Sequence, residues 1–358
     1  MGAARSQRNV EIDIYRGVAV IGVVFSHVIG GLRGADVIAR ESGLWELNQW
    51  FYGFRMPAIA LVLGLFISYG VEKYGTGRYI ARRAIFAAYI YAVWYVIQMG
   101  AELATSRWKN NPVTFEQALQ FWTQPAHLWF IPYIAVSAAV IALARPWAWK
   151  PWLTVPLLLV GSLAVWGWSA DFLGLRGLAL IGFSTVGAVI GVRRFGVLLV
   201  HRRGAVIIAG LVALALAIPF FGADLVAASV PATPEQWAQG RLAWLPPSAV
   251  LGWLGQFLLA GAAAAVALVP RVREALALVG RNTLQIYLAH IIVIAGLRIV
   301  LMALGVTSAA VLLPTLLVAG VIVPLIAERV LRPTPLRYVF EPPPSLIPGA
   351  RTLEPTRA

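Results

Sequence analysis

The sequence predicts an all-α bundle of about ten transmembrane helices, a polytopic integral membrane protein. Three observations carry that reading. Apolar residues make up 60% of the 358 and charged residues only 12%, about half the charged share of an ordinary globular domain. A soluble fold of that balance could not cover its own surface. The apolar residues fall into runs of bilayer-spanning length, and the cations gather at alternate junctions between them. The same composition excludes disorder, which needs few apolar residues and much charge. The absence of cysteine excludes disulfides, thiolate metal ligands and a Cys nucleophile, and leaves the redox compartment open.

A spanning helix needs roughly 20 mostly apolar residues. The first candidate, about 12–33, carries Asp13, Arg16 and His27, lacks a small-residue cleavage pattern and is expected to be retained. The second, about 50–71, contains Met56-Pro57, which a membrane helix tolerates. The third, about 84–104, ends at Glu102, where water is expected to solvate the carboxylate, and the fourth, about 127–145, opens on His127. The fifth and sixth, about 152–168 and 174–192, meet at a short junction marked by Trp166-Gly167-Trp168 and Asp171. The seventh and eighth, about 205–222 and 248–269, flank one of the two longest connections. The ninth, about 284–304, carries His290 and Arg298, and the tenth covers about 308–328.

The chain holds 29 Lys and Arg against 15 Asp and Glu, a net charge of +14. With the N-terminus placed in the cytoplasm, twenty of those cations fall in inner segments, six in outer segments and three (Arg16, Arg55 and Arg298) within spans. That asymmetry predicts a multi-pass cell-membrane protein with both termini cytoplasmic. The basic balance is therefore topology and no nucleic-acid footprint, which would need a basic face on a soluble domain. Residues 1–332 read as one transmembrane domain. Residues 333–358, rich in Pro, read as an extended, mobile cytoplasmic tail. The outer connections around 105–126 and 223–247 are too short for a further domain, and there is no internal repeat of the secondary-transporter kind.

Ionisable side chains inside a bilayer cost several kcal/mol unless paired or hydrated, which makes them the first functional candidates. The first span concentrates them. Arg16 and His27 are eleven residues apart, close to three turns, so they project from one face about 16 Å apart along the axis. Asp13, three residues before Arg16, is placed to pair with it. Such a helix suits a long anionic donor, held through its phosphate or carbonyl oxygens by Arg16 while His27 takes a proton from a hydroxyl. The plainer alternative is that Arg16 snorkels to the interface and His27 bonds a neighbouring helix. Ser26 is adjacent to His27, about 100° away around the helix, and cannot face it as a nucleophile.

RGVAVIGVVFSH from Arg16, FRMPAIALVLGLFIS from Phe54, HLWFIPYI from His127 and LQIYLAH ending at His290 together resemble segments of the membrane acyltransferase family 3. RGVAVIGVVFSH, from Arg16, fits the family's Arg-ten residues-His signature, with Ile12-Asp13 in the place of its preceding Leu-Asp. FRMPAIALVLGLFIS, from Phe54, resembles the second-helix segment; Met56-Pro57 and Gly64 are kept, Arg55 stands where His is common, and Leu63 replaces a usual Ser. HLWFIPYI, from His127, and LQIYLAH, ending at His290, resemble two later segments, in family order. The resemblance covers about residues 10–328.

What it implies is a ten-helix acyltransferase. The acyl group, acetyl as the common case, comes from cytoplasmic acyl-CoA (acetyl-CoA), which is a donor substrate and no bound cofactor. The acceptor is a hydroxyl on a surface carbohydrate or a related lipid-linked molecule. His27 is then the catalytic base. Arg16, Asp13, Arg55, His127, Trp129 and His290 are the candidate substrate-binding residues; the plainer alternatives are an aromatic-belt position for His127 and bundle-core hydrogen bonding for His290. Arg78, Arg82 and Arg83, in a basic loop with Lys73, Gly75 and Gly77, are candidates for the CoA phosphates. No metal site is expected, since the four histidines are scattered without ligand spacing. Two other classes stay open: a transporter or flippase of a lipid-linked or small anionic substrate, and a non-catalytic membrane subunit.

Overall fold

The computed structural model describes residues 10–349 apart from 40, 109–112, 124, 126 and 171. Arg5, Arg8, Arg40, Lys109, Asp171, Arg351, Pro355 and Arg357, used in the topology and tail readings, lie outside the described residues. Fourteen α-helices follow in order: α1 (Val10–Gly34), α2 (Gly43–Leu65), α3 (Ile67–Tyr74), α4 (Thr76–Thr105), α5 (Phe115–Leu119), α6 (Phe130–Ala144) and α7 (Pro151–Ala164). Then come α8 (Ile181–His201), α9 (Arg203–Ala217), α10 (Pro234–Gln239), α11 (Arg241–Val266), α12 (Pro270–Arg281), α13 (Thr283–Ala303) and α14 (Ala309–Leu331). Among the described residues there is no strand.

Eight helices are long and apolar enough to cross a membrane, taking α2 and α3 as one, and the shorter apolar helices α6 and α7 complete the ten expected spans. The protein is a multi-pass membrane bundle. Its outer surface carries the exposed apolar side chains lipid requires, among them Val96, Trp152 and Val318. Local signals set the boundaries. Ser42 caps α2 through the Trp45 N–H, Thr114 and Gln117 close a capping box on α5, and Thr233 and Gln236 do the same on α10. Pro151, Pro234 and Pro270 each open a helix, where the missing N–H costs nothing.

Small residues bring the helices close, as expected where lipid supplies no hydrophobic drive between them. Gly64 and Gly187 let α2 and α8 meet backbone to backbone, against Ser184 and the Leu61 carbonyl. Gly17 and Gly280 do this for α1 and α12, and Gly210 and Gly261 for α9 and α11. Buried polar side chains bond across the helices. Tyr15 donates to Gln256 Oε1 at 2.7 Å, and Ser184 donates to the Ala60 carbonyl at 2.9 Å.

One end of the bundle is basic. There Arg203 meets Glu11 at 3.2 Å, and Arg82 reaches the C-terminal segment. At the other end Trp50 donates to the Ala217 carbonyl, and Arg241 to the Leu163 carbonyl.

Three expectations change. The basic loop 73–83 is a single-residue joint: Gly75, at φ 76°, turns the chain from α3 into α4, so Arg78, Arg82 and Arg83 sit on helix α4. The span expected from His127 begins at Phe130, because the preceding residues fold as turns under α6. The C-terminal segment, expected to be mobile, is docked as far as Gly349. Phe340 is buried against the Trp94 ring at 5.6 Å, Trp94 Nε1 donates to the Val339 carbonyl at 2.6 Å, and Arg82 donates to the Pro348 carbonyl at 2.6 Å. Proline content removed the segment's own helix potential, while its aromatic and carbonyl groups found partners on α4.

Candidate active site

The helical repeat of α1 turns Arg16 and His27 to one face, and α13 meets that face along its length. Near the far end Arg298 of α13 donates to the Gly31 carbonyl of α1. Seven residues into α13, His290 is fully buried, and its Nε2 lies 2.9 Å from His27 Nδ1. His290 Nδ1 lies 2.9 Å from the Ile286 carbonyl one turn back. The third member comes from the turn ahead of α6. The His127 ring centroid is 5.0 Å from His290 and 6.1 Å from His27. Its Nε2 is 3.2 Å from the Leu288 carbonyl, and the Tyr287 hydroxyl donates to the His127 carbonyl.

Three of the four histidines thus gather at one point inside the bundle, although the sequence scatters them over more than 260 positions. His27 and His290 engage one another through ring nitrogens, and His290 and His127 each engage a backbone carbonyl. Of the three, His27 alone is partly exposed; His127 and His290 are 1% and 0% exposed. A group entering the site therefore meets His27.

Arg55 of α2 is the cation beside this cluster. It is 3% exposed, its guanidinium lies 3.7 Å above the Tyr52 ring, and its Cβ packs beside Gly22 of α1. Its Nε and Nη1 have no hydrogen-bond partner among the described residues. A buried cation with idle donors is costly and is set to meet an anionic or carbonyl oxygen.

Towards the basic end, a cavity of about 320 Å³ opens between α1, α2, α4, α6 and α13. Arg16 and Arg83 line it together with Thr283, Tyr287 and an apolar wall that includes Ile59, Phe66 and Ile134. The histidines do not line it. Tyr287 is the shared member, facing the cavity and touching His127, with ring centroids 5.1 Å apart.

Of the residues expected from sequence, His27, His127 and His290 come together, and the interactions above place Arg55 against α1 beside them. Asp13 stands 3.8 Å from Arg16, as the three-residue spacing suggested. Arg83 lines the cavity, but Arg82 and Arg78 meet the C-terminal segment, at Pro348 and Gly349. Trp129 is buried under Arg176, 5.5 Å from its ring, and against Phe130. Glu102 accepts from Gln98 at 3.0 Å, and His201 is exposed.

Two residues were missed. Tyr287 precedes His290 by three positions and Tyr52 precedes Arg55 by three. Each is the one-turn neighbour that helical spacing puts beside a candidate.

Compared with known families, residues 9–329 match the sequence model of the acyltransferase domain of family 3. No curated protein and no solved structure matches the chain.

Proposed function

Because the chain belongs to acyltransferase family 3 and is an acyltransferase, we propose that it moves an acyl group, acetyl in the first instance, from acyl-CoA to a hydroxyl of a surface carbohydrate or lipid-linked acceptor, with His27 as the general base. The observation that carries this reading is the juxtaposition at the middle of the bundle. A partly exposed imidazole, His27, is backed by two buried ones, and Tyr287, which packs on both of those, lines a cavity with two arginines at its basic end.

In this reading the basic end and both termini face the cytoplasm, the side that the charge asymmetry favours. Acyl-CoA then enters from that side. Arg16 and Arg83 hold its phosphates, and the apolar cavity wall takes the extended thioester arm inward toward His27. His27 takes the proton of the acceptor hydroxyl as that oxygen bonds to the thioester carbon. Charge develops on the carbonyl oxygen, and the idle N–H groups of Arg55 are the donors nearest to hand. Collapse of the tetrahedral species breaks the C–S bond, and the thiolate leaves with the proton from the His27 imidazolium. No protein nucleophile is required.

The test is direct. Purified protein in lipid nanodiscs is given acetyl-CoA labelled in the acetyl group and a membrane extract as acceptor. The reading expects label in an alkali-labile ester on a glycan or glycolipid, missing from cells that lack the protein. Uptake of a substrate with no acyl turnover would overturn it in favour of transport.

A further inference from the structure

His290 and His127 each commit one ring nitrogen to a backbone carbonyl, a fact the base assignment does not use. A carbonyl only accepts. The Ile286 oxygen, 2.9 Å from His290 Nδ1, therefore fixes the proton on that nitrogen. In the neutral ring His290 Nε2 is then a bare lone pair. It stands 2.9 Å from His27 Nδ1, so the proton between the two rings belongs to His27. With Nδ1 protonated, the neutral His27 ring keeps its lone pair on Nε2. The reverse arrangement, with His290 donating from Nε2, would set its Nδ1 lone pair against the Ile286 oxygen in a fully buried place.

We infer that His290 is a positioning residue that holds His27 in its Nδ1–H tautomer and fixes the plane of its ring, leaving Nε2 as the atom that takes the acceptor's proton. The inference rests on the reading of His27 as the base. It assigns His290, 263 positions away, the orienting role that a carboxylate plays beside many catalytic histidines. When His27 becomes an imidazolium, its Nδ1–H donates to His290 Nε2 as a charge-assisted bond, so the transient cation is stabilised without a second proton moving. His290 Nδ1 stays committed to Ile286 throughout.

His127 stands outside this chain. Its Nε2 proton goes to the Leu288 carbonyl, and its buried Nδ1 has no partner among the described residues. Its ring supports the edge of His290 and takes no part in the relay.

The experiment uses the full chain in lipid bilayers, with ¹⁵N-labelled histidine; only four residues contribute signals. The expected spectrum has His27 protonated at Nδ1 and bare at Nε2, and His27→Ala identifies its pair of resonances. His290→Phe keeps the ring and removes the acceptor. It is expected to lower kcat by about 10²-fold, within the usual range for a general base, with the KM for acyl-CoA unchanged. His290→Gln puts an amide oxygen near the lost Nε2 and is expected to recover most of that loss, which a purely space-filling role would not produce. A wild-type His27 protonated at Nε2, or a His290→Phe variant with normal kcat, overturns the inference. Should His290→Phe fail to fold, the wild-type spectrum and the His290→Gln rate still decide it. If His27→Ala itself transfers acyl groups normally, the base reading has failed. If that variant is dead while the wild-type ring is protonated at Nε2, only the positioning role of His290 has failed.

Discussion

His290 and His27 stand 263 positions apart in the chain and share a 2.9 Å contact between ring nitrogens. Around that pair the protein arranges a third imidazole, an arginine with idle donors and a cavity that opens toward the basic end. Each neighbour has a separable expected effect.

At the basic end of the cavity, Arg16 and Arg83 are expected to act on donor binding. Arg16→Ala and Arg83→Ala should each raise the KM for acyl-CoA with little change in kcat, the pattern of a uniform binding contact. Exposed phosphate contacts weaken as salt screens them. Titrating wild type and variants with acyl-CoA at two salt concentrations is the check: the salt dependence should shrink in both variants.

Arg55 is expected to act on the chemical step. Arg55→Met keeps an unbranched side chain and removes the Nε and Nη1 donors left idle in the resting protein. The loss should fall on kcat, by about 10²–10³-fold, the usual scale for removing an oxyanion donor. Single-turnover transfer measured at saturating donor separates this from a binding defect.

The docked C-terminal segment gives a stability test. Phe340→Ala removes a ring buried against Trp94. It should cost no more than the roughly 3–5 kcal/mol of a fully enclosed Phe truncation. Because Arg337 just upstream is exposed, tryptic cleavage there should speed up in the variant as the segment detaches more often.

Where helices touch through glycine, added volume has nowhere to go. Gly64→Ala would push a Cβ into the Ser184 backbone of α8. Overpacking of this kind typically costs about 1–3 kcal/mol. The melting temperature in detergent should fall, whereas Gly30→Ala, with open space around it, should leave it nearly unchanged.

Much of this was legible along single helices. The length of the apolar runs and the charges between them placed the ten apolar helices, and the eleven-residue spacing put Arg16 and His27 on one face. Where two helices must meet, local pattern fell silent. Nothing near His290 says that its partner is His27, because that contact depends on α13 lying along α1 across the whole chain. Phe340 is similar: its burial depends on Trp94, while the prolines around it suggested only an extended segment. The joint at Gly75 is a case of one residue at positive φ doing what a longer loop was expected to do.

The account turns on His27, and its most direct test is acyl transfer by His27→Ala in a preparation shown to be folded and to bind acyl-CoA. The account expects donor affinity close to wild type and kcat lower by about 10²–10⁴-fold, the contribution of a general base. Near-normal transfer by that variant would contradict it and leave His27 a residue that only packs against His290.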